Sequence, residues 1–224
     1  MKIAGLGNTG TERRTQLTRE RVLAAGIDLA DRDGIESISM RRLAQELGVE
    51  AMSLYTHVSN KDDLLDGMVD AVIGKIPTST DGADWKMSLR QMVLAARRTV
   101  LTHPWAPRLI ESRTTPGPAT TRYINTVIGL LREGGFTIAQ AHHAIHILGS
   151  RALGFTHELF DDSDDLEPET AARLASELGA DLPHVAEMVL AVTHGGAIGR
   201  CDDEIEFEFA LDFILDGLER LQDS

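Results

Sequence analysis

Apolar residues recur at the spacing of an α-helix through nearly every segment of this chain. Between Asn60 and Ile76, for example, they return every three or four residues, which places them on one face of a helix. Aromatic residues, which strands favour, make up only 4% of the sequence. The pattern predicts an all-α fold.

Four short helices are predicted near the N-terminus. Thr18 is a favourable N-cap for the first helix, and Ser39 is one for a second helix that ends at Gly48. A third helix is predicted over residues 51–58, and Asn60 caps the fourth.

The predicted helices become longer beyond Pro77 and its polar loop. The sequence therefore divides into a basic, mobile arm over residues 1–17, a domain of short helices over 18–76 and a larger helical domain over 77–224. The acidic, polar segment 161–170 inside the larger domain is expected to be mobile.

The second and third helices form the pattern of a helix-turn-helix, because a tight glycine-containing turn joins two short helices. In that motif the later helix enters the major groove of DNA. Leu54 and Val58 account for the inner side of the third helix. The positions left to contact bases or phosphates are Ala51, Met52, Ser53, Tyr55, Thr56 and His57.

Cations flank this predicted recognition helix. Arg41 and Arg42 begin the preceding helix and Lys61 begins the following one, where phosphates of the DNA backbone would run. On pattern alone, an ordinary helical hairpin with solvated charges stays open as the alternative.

The net charge of −13 is unusual for a protein that binds nucleic acid. The charge is unevenly distributed, however, since residues 1–24 carry five cations against two acids, whereas residues 155–224 carry 19 acids and three arginines. This asymmetry is consistent with a basic contact face on one unit and a solvated acidic body on the other.

A G-x-G-x-x-G triplet opens the chain at Gly5, Gly7 and Gly10, and it raises the alternative of a dinucleotide-binding turn. The sequence that follows, TERRTQ, has no apolar residue to pack a helix against a sheet. A mobile arm is therefore favoured, and no cofactor is predicted.

A reducing, cytoplasmic setting is expected. Cys201 is the single cysteine, so no internal disulfide can form. The sequence contains neither the apolar run of a signal peptide nor a stretch that approaches the ~18 apolar residues of a membrane span.

Three histidines, His142, His146 and His157, are spaced so that they can share one helix face. A metal site and ordinary interface or surface histidines are both open, and no metal is predicted. No catalytic residue is predicted either, because no serine or cysteine nucleophile stands in a recognisable motif.

The last predicted helix is apolar over too wide a face for the surface of a monomer. We expect it to form a four-helix interface with residues of the earlier long helix and with their symmetry mates. The expected contacts from that earlier helix are Ile145, Leu148, Leu153 and Phe155.

The segment IESISMRRLAQELGVEAMSLYTHVSNKDDLLDGM resembles the DNA-binding region of the tetracycline repressor family, with its L-A-x-x-L-G-V turn, L-Y-x-H-V recognition helix and following N-K-x-x-L-L. GGFTIAQAHHAIHILGSRALGFTHEL and FEFALDFILDGLER resemble, more loosely, the core of its ligand-binding domain. The resemblance implies an all-helical homodimer that represses transcription and leaves its operator when a small molecule binds.

The resemblance also implies residue roles. It assigns Tyr55, His57 and Lys61 to backbone contacts, and Arg41 and Ser53 to base or near-base contacts. Ala51 and Met52 replace a polar residue and a proline, so the operator sequence is expected to differ from that of the tetracycline repressor.

The effector implied by the resemblance is not chelated tetracycline. Two histidines and an acid that surround the drug's metal fall here on Ile110, Ser150 and Glu158, so only the acid remains. The implied wall is more apolar, and we expect a mainly hydrophobic effector with one anionic or hydrogen-bonding group. Its further residues are Met92, Ala96, Arg113 and Val127.

The sequence thus predicts a ligand-responsive transcriptional regulator, most simply a repressor. Two other classes stay open at this point: a helical protein-interaction adaptor, and a metal- or NAD-dependent enzyme.

Overall fold

The computed structural model describes residues 16–79, 84–113, 115–154, 172–173, 176–177, 179, 181–191, 193–194, 197–198 and 203–222. The chain divides into two compact units, Met1–Met68 and Val69–Ser224. The N-terminal arm to residue 15 and the acidic segment 161–170 lie outside the described residues.

The first unit contains α1 (Arg19–Asp33), a 3₁₀ turn (Ile35–Ser37), α2 (Met40–Leu47), α3 (Ala51–Leu54) and the first turns of α4 (Lys61–Ile73). Its helices are apolar on one side, and the largest fully buried side chains form its core. These are Leu29, Ile38, Leu43, Leu54, Leu64 and Met68.

The predicted caps of this unit are confirmed. Thr18 accepts a hydrogen bond from Arg21 N–H at 3.2 Å, and Ser39 accepts one from Arg42 N–H at 3.2 Å. Gly48 ends α2 in the left-handed region, with φ 66° and ψ 35°, a conformation that residues with a Cβ rarely adopt. This glycine sets the sharp turn between α2 and α3.

The second unit contains the remaining described elements. Its helices are α5 (Trp85–Leu101), α6 (Ala106–Ser112), α7 (Pro118–Glu133), α8 (Ile138–Gly154), α9 (Pro183–Ala191) and α10 (Asp203–Gln222). A two-residue antiparallel pair, β1 (Thr193–His194) and β2 (Ala197–Ile198), precedes α10. Helices α5, α7, α8 and α10 share one buried apolar cluster that includes Leu89, Leu131, Phe136, Leu148 and Leu211.

Ion pairs join α5 to α10 along the outside of this cluster. Lys86 and Arg90, one turn apart on α5, each contact two acids of α10 at N···O distances of 2.6 to 2.7 Å. The acids are Asp216 and Glu219 for Lys86, and Glu208 and Asp212 for Arg90. These carboxylates raise the pKa of both cations.

Asp70, in the last turn of α4, caps the N-terminus of α7. Its carboxylate accepts hydrogen bonds from the backbone N–H groups of Ala119 at 3.1 Å and Thr120 at 2.9 Å, and from the Thr120 hydroxyl at 3.2 Å. Gly117 lies so close that an added Cβ would stand 2.5 Å from Asp70 Cγ. The absence of a side chain at Gly117 therefore permits this contact, which we call the Asp70 cap.

The structure differs from the sequence-based expectations in four places. The boundary between the units falls at Met68 and Val69, inside α4 rather than after it, because the end of α4 packs with the second unit. Helix α3 is shorter than 51–58, since the N–H groups of Tyr55 and His57 donate to i−3 carbonyls. Helix α6 and the β1–β2 pair were not expected, because nearby prolines and glycines favour loops.

In the part of the chain that the structure describes, no helix is both long and apolar enough to cross a membrane.

Candidate nucleic-acid interface and effector site

The outward side of α3 and its following turn is the candidate nucleic-acid interface. Leu54 and Val58 are buried beneath it, as the sequence pattern predicts. Met52 is 75% exposed and Tyr55 is 45% exposed. Two large side chains thus stand in solvent directly above a packed apolar base, an arrangement suited to contact with a groove or a phosphate backbone.

The polar residues of this surface keep some hydrogen-bonding capacity. Ser53 is half-buried, and its carbonyl accepts the Thr56 hydroxyl proton at 2.7 Å, so the exposed Thr56 oxygen retains lone pairs for a donor. Ala51 and His57 are half-buried, and the His57 carbonyl accepts from Arg19 at 2.6 Å. The backbone at the end of this surface is therefore fixed from α1.

Three cations flank the surface, but they are not equivalent. Arg42 contacts Asp33 at 2.6 Å, so part of its charge is already neutralised. Arg41 and Lys61 are exposed and form no ion pair within the described residues. Arg41 and Lys61 are therefore better candidates than Arg42 for phosphate contacts.

A hydrogen-bonded clip around Asp63 holds the end of this surface to α1 and α4. Arg19 lies 2.5 Å from Asp63 Oδ1, and Ser59 N–H donates to Asp63 Oδ2 at 2.7 Å. Asp63 N–H donates to Asn60 Oδ1 at 2.9 Å, which confirms Asn60 as a capping residue of α4. Arg19, followed by the Ser59 donors, lowers the pKa of Asp63 from 3.8 to about 2.

Replacing Asp63 by Asn is expected to destabilise the protein by about 1–2 kcal/mol at neutral pH, allowing for partial solvent screening. A carboxyl whose pKa is lower in the folded state contributes stability above its unfolded pKa of 3.8, and loses it as the pH falls towards about 2. The variant should lose this part of the acid sensitivity, measured by thermal unfolding at a series of pH values. Asp28→Asn, an exposed carboxyl on α1, is the control and should unfold like the parent.

The predicted effector residues fall into two groups in the second unit. Met92, Ala96 and Val127 are buried, and Met92 and Val127 belong to the same apolar cluster. Ile110 and Arg113 are half-buried at the end of α6, where the Arg113 N–H donates to the Ile110 carbonyl and the Arg113 Nε is excluded from solvent.

Ser150 and Glu158, the remaining predicted effector residues, belong to neither group. Ser150 is exposed, because the inner face of α8 is carried by Ala141, Ala144 and Leu148, and Ser150 follows Leu148 by two residues, about 200° around the helix. Glu158 lies outside the described residues, as does His157.

Two polar residues that contact the apolar cluster were missed by the sequence analysis. Arg97 is buried in α5, with its guanidinium carbon 4.2 Å from the centroid of the Phe207 ring. Burial raises the pKa of Tyr123, on α7, to about 12, and its hydroxyl makes no hydrogen bond with the described residues. Helical spacing could have indicated both residues. Arg97 follows Val93 by four residues and Tyr123 precedes Val127 by four, so each lies on the same helix face as a buried valine.

An apolar stripe runs along the outer side of α10. Phe209 and Phe213 are 69% and 70% exposed, and Ile205 precedes them by one more turn. By contrast, Ile145 and Leu148 of α8, expected at an interface, pack into their own chain's cluster because they face α10 across it. The side chain of Leu153 and the whole of Phe155 lie outside the described residues.

Comparison with known proteins identifies both parts of the chain. A family model described as "Bacterial regulatory proteins, tetR family" matches residues 22–68. A second model, described as "Tetracyclin repressor-like, C-terminal domain", matches residues 77–221.

Individual relatives are described as transcriptional regulators or repressors, or as a TetR family protein. An HTH-type transcriptional regulator of Saccharopolyspora erythraea is 39% identical over 121 residues, 54% of this chain and 51% of that protein. The HTH-type transcriptional repressor DrrR1 of Streptomyces coeruleorubidus is 31% identical over 213 residues, 92% of this chain and 78% of that protein. ActR of Streptomyces coelicolor in complex with actinorhodin has a TM-score of 0.71 at 26% identity, covering 94% of this chain and 100% of that one.

Proposed function

This chain belongs to the TetR family of bacterial regulatory proteins, and we propose that it binds a palindromic DNA operator as a homodimer that a small molecule releases. The predicted family and the all-α fold with an N-terminal helix-turn-helix are thereby confirmed, and the protein is a transcriptional regulator. The proposal includes no catalysed reaction, since the family consists of regulators. The adaptor and enzyme alternatives receive no support from the relatives.

The observation that carries the proposal is the outward surface of α3. Tyr55 and Met52 are exposed above buried Leu54, with Arg41 and Lys61 on either side. Base edges would be reached from the short helix and phosphates from the flanking cations. We assign repression of transcription to occupancy of an operator by this surface.

The proposed homodimer uses the outer stripe of α10. Exposure of the Phe209 and Phe213 rings to water is unfavourable in free energy. A two-fold contact between identical stripes would bury four phenyl rings at once. A dimer fixes the spacing of two α3 helices, and a palindrome is bound when that spacing matches successive major grooves, about 34–36 Å apart.

The proposed effector site lies among the buried residues of α5 and α7. Met92, Ala96 and Val127 supply apolar contacts, the hydroxyl of half-buried Tyr123 supplies a polar one, and Arg113 at the end of α6 is the predicted cation. This combination suits a mainly hydrophobic molecule with one anionic or hydrogen-bonding group. Such a molecule releases the operator to the extent that it binds better to a form whose α3 spacing does not match DNA.

Selection of bound duplexes from sheared genomic DNA of the source organism tests the proposal. The parent protein should enrich an imperfect palindrome, and Tyr55→Ala should fail to enrich it, because the exposed ring and hydroxyl are lost from the contact surface. Met87→Ala, which removes an exposed apolar side chain of the second unit, is the control and should select the same sequence. If no duplex is enriched by folded, dimeric parent protein at any salt concentration, the adaptor alternative is favoured.

A further inference from the structure

The guanidinium of Arg19 reaches from the start of α1 to the turn that follows α3. Its Nη1 donates to the His57 carbonyl at 2.6 Å. Its Nη2 donates to Oδ1 of Asp63, in the first turn of α4, at 2.5 Å, and Nη1 lies 3.3 Å from Oδ2 of the same carboxylate. One side chain therefore joins three parts of the first unit: α1, the turn after α3, and α4.

Asp63 extends this clip to the turn itself. Its Oδ2 accepts hydrogen bonds from the Ser59 backbone N–H at 2.7 Å and from the Ser59 hydroxyl at 3.1 Å. The turn is thus held at the His57 carbonyl by Arg19 and at Ser59 by Asp63, while Val58 between them is buried in the core. Backbone fixed on both sides of a buried residue has few alternative conformations.

The held turn lies between proposed DNA contacts. Thr56 and His57 lie at its start, and Lys61, an exposed cation and proposed phosphate contact, follows Ser59 by two residues. A flexible turn would have to be ordered on binding, and the lost conformational freedom would reduce operator affinity. A turn that is already fixed in the free protein avoids this loss.

Charge alone does not explain the clip. Asp63 is ionised at neutral pH, since its pKa is about 2, and a carboxylate beside a surface that meets phosphates weakens binding. Both terminal nitrogens of Arg19 already donate to acceptors within the protein. The arrangement therefore suits orientation of the turn better than direct contact with DNA.

We propose, on the premise of the function given above, that Arg19 and Asp63 are positioning residues for operator binding. They hold the His57 carbonyl and Ser59 in the geometry that presents the recognition surface, and they do not themselves contact the operator. Each dimer carries the clip twice. Loss of either residue is therefore expected to weaken operator binding about tenfold or more.

Fluorescence anisotropy of the full chain with a selected operator tests the inference. Asp63→Ala should weaken binding about tenfold or more, although it removes a negative charge that repels phosphates. Asp28→Ala removes the same charge from an exposed position of α1, and this matched control should bind at least as tightly as the parent. Opposite effects of the same change in charge separate positioning from electrostatics.

A double variant with Arg19→Met and Asp63→Ala removes the clip without changing the net charge. It should weaken binding by less than the product of the two single effects, because both residues act through one turn. Its affinity should depend on salt concentration as the parent's does, since no phosphate contact is lost. Lys61→Ala, by contrast, should reduce the slope of log affinity against log salt by about one per half-site.

Amide hydrogen exchange of the free protein gives a readout that requires no DNA. The Ser59 N–H should exchange about tenfold faster in Asp63→Ala than in the parent, because its acceptor is removed. Ile27→Val, which removes a methyl group from the buried face of α1, controls for a general loss of stability. It should lower the melting temperature but leave this exchange rate and the operator affinity unchanged.

The outcomes separate this inference from the function on which it rests. If the parent binds no duplex, the proposed function fails and the inference fails with it. If the parent binds an operator and Asp63→Ala or Arg19→Met binds it with parental affinity, the inference alone is overturned. Unchanged exchange of Ser59 in Asp63→Ala, an equal loss of affinity in Ile27→Val, or a reduced salt slope in the double variant would also overturn it.

Discussion

Phe213→Glu is expected to leave the protein monomeric and to abolish operator binding. Phe213 is 70% exposed on α10 beside Phe209, and each buried phenyl ring contributes roughly 1.5–3 kcal/mol to association. Because both protomers contribute the same surface, the dimer interface would lose two phenyl rings. It would also contain two carboxylates in an apolar contact. Sedimentation velocity should report the mass of one chain. Fluorescence anisotropy should show loss of affinity for a selected operator.

Met87→Glu is the matched control for that experiment. Met87 is an exposed apolar residue of α5, at 51%, outside the α10 stripe, so its replacement should leave both the dimer and operator binding intact. A Phe213→Glu variant that sediments as a dimer would show that the chains associate through another surface. A monomeric variant that still binds the palindrome with parental affinity would separate dimerisation from operator binding.

Gly117→Ala is expected to destabilise the second unit by about 2–3 kcal/mol, which is the scale of a lost helix cap combined with lost hydrogen bonds to a carboxylate. The new Cβ would stand 2.5 Å from Asp70 Cγ, so the Asp70 cap must open. Urea unfolding monitored by tryptophan fluorescence measures the effect. Both tryptophans, Trp85 and Trp105, belong to the second unit and report on it directly.

Two further variants decide whether the Asp70 cap is the cause. In an Asp70→Ala background the added methyl at position 117 meets no carboxylate, so the second substitution should cost little and the two effects should not add. Gly129→Ala, in the middle of α7 with nothing within 4 Å of the new Cβ, should be neutral or stabilising. Additive losses in the double variant would contradict the assigned clash.

Local signals in the sequence were sufficient to predict where most helices of the first unit begin and end. Thr18, Ser39 and Asn60 act as the predicted caps, and Gly48 ends α2 in the left-handed conformation that a tight turn requires. Each of these contacts spans three to five residues, so its partner is fixed by chain connectivity. Buried Leu54 follows from the same helical periodicity.

Contacts between distant residues could not be predicted in this way. Arg19 and Asp63 are 44 residues apart, and Asp70 and Thr120 are 50 apart. The local sequence pattern does not indicate which residue such a side chain will contact, because that contact depends on how the helices pack. The charged residues of the first unit were therefore predicted as DNA contacts without the knowledge that Arg42 already pairs with Asp33.

The effector residues stay a prediction, and the structure does not bring all of them together. Resemblance placed Ser150 on the wall of the effector site, but the inner face of α8 is set by Ala141, Ala144 and Leu148, which turns Ser150 outward. Buried Arg97 and half-buried Tyr123, which contact the apolar cluster, belong to residue types that are usually found at the surface or at intermediate depth. Position within the apolar period, rather than residue type, would have indicated them.

The ion pairs between α5 and α10 have a mechanical consequence. Lys86 and Arg90 each contact two acids on successive turns, so axial sliding of α10 by one turn, about 5.4 Å, would break every pair. The two helices are thereby locked in register and translate together. If a bound molecule displaces α5 along its axis, α10 is expected to move with it. Phe209 and Phe213 on α10 would then shift by the same distance.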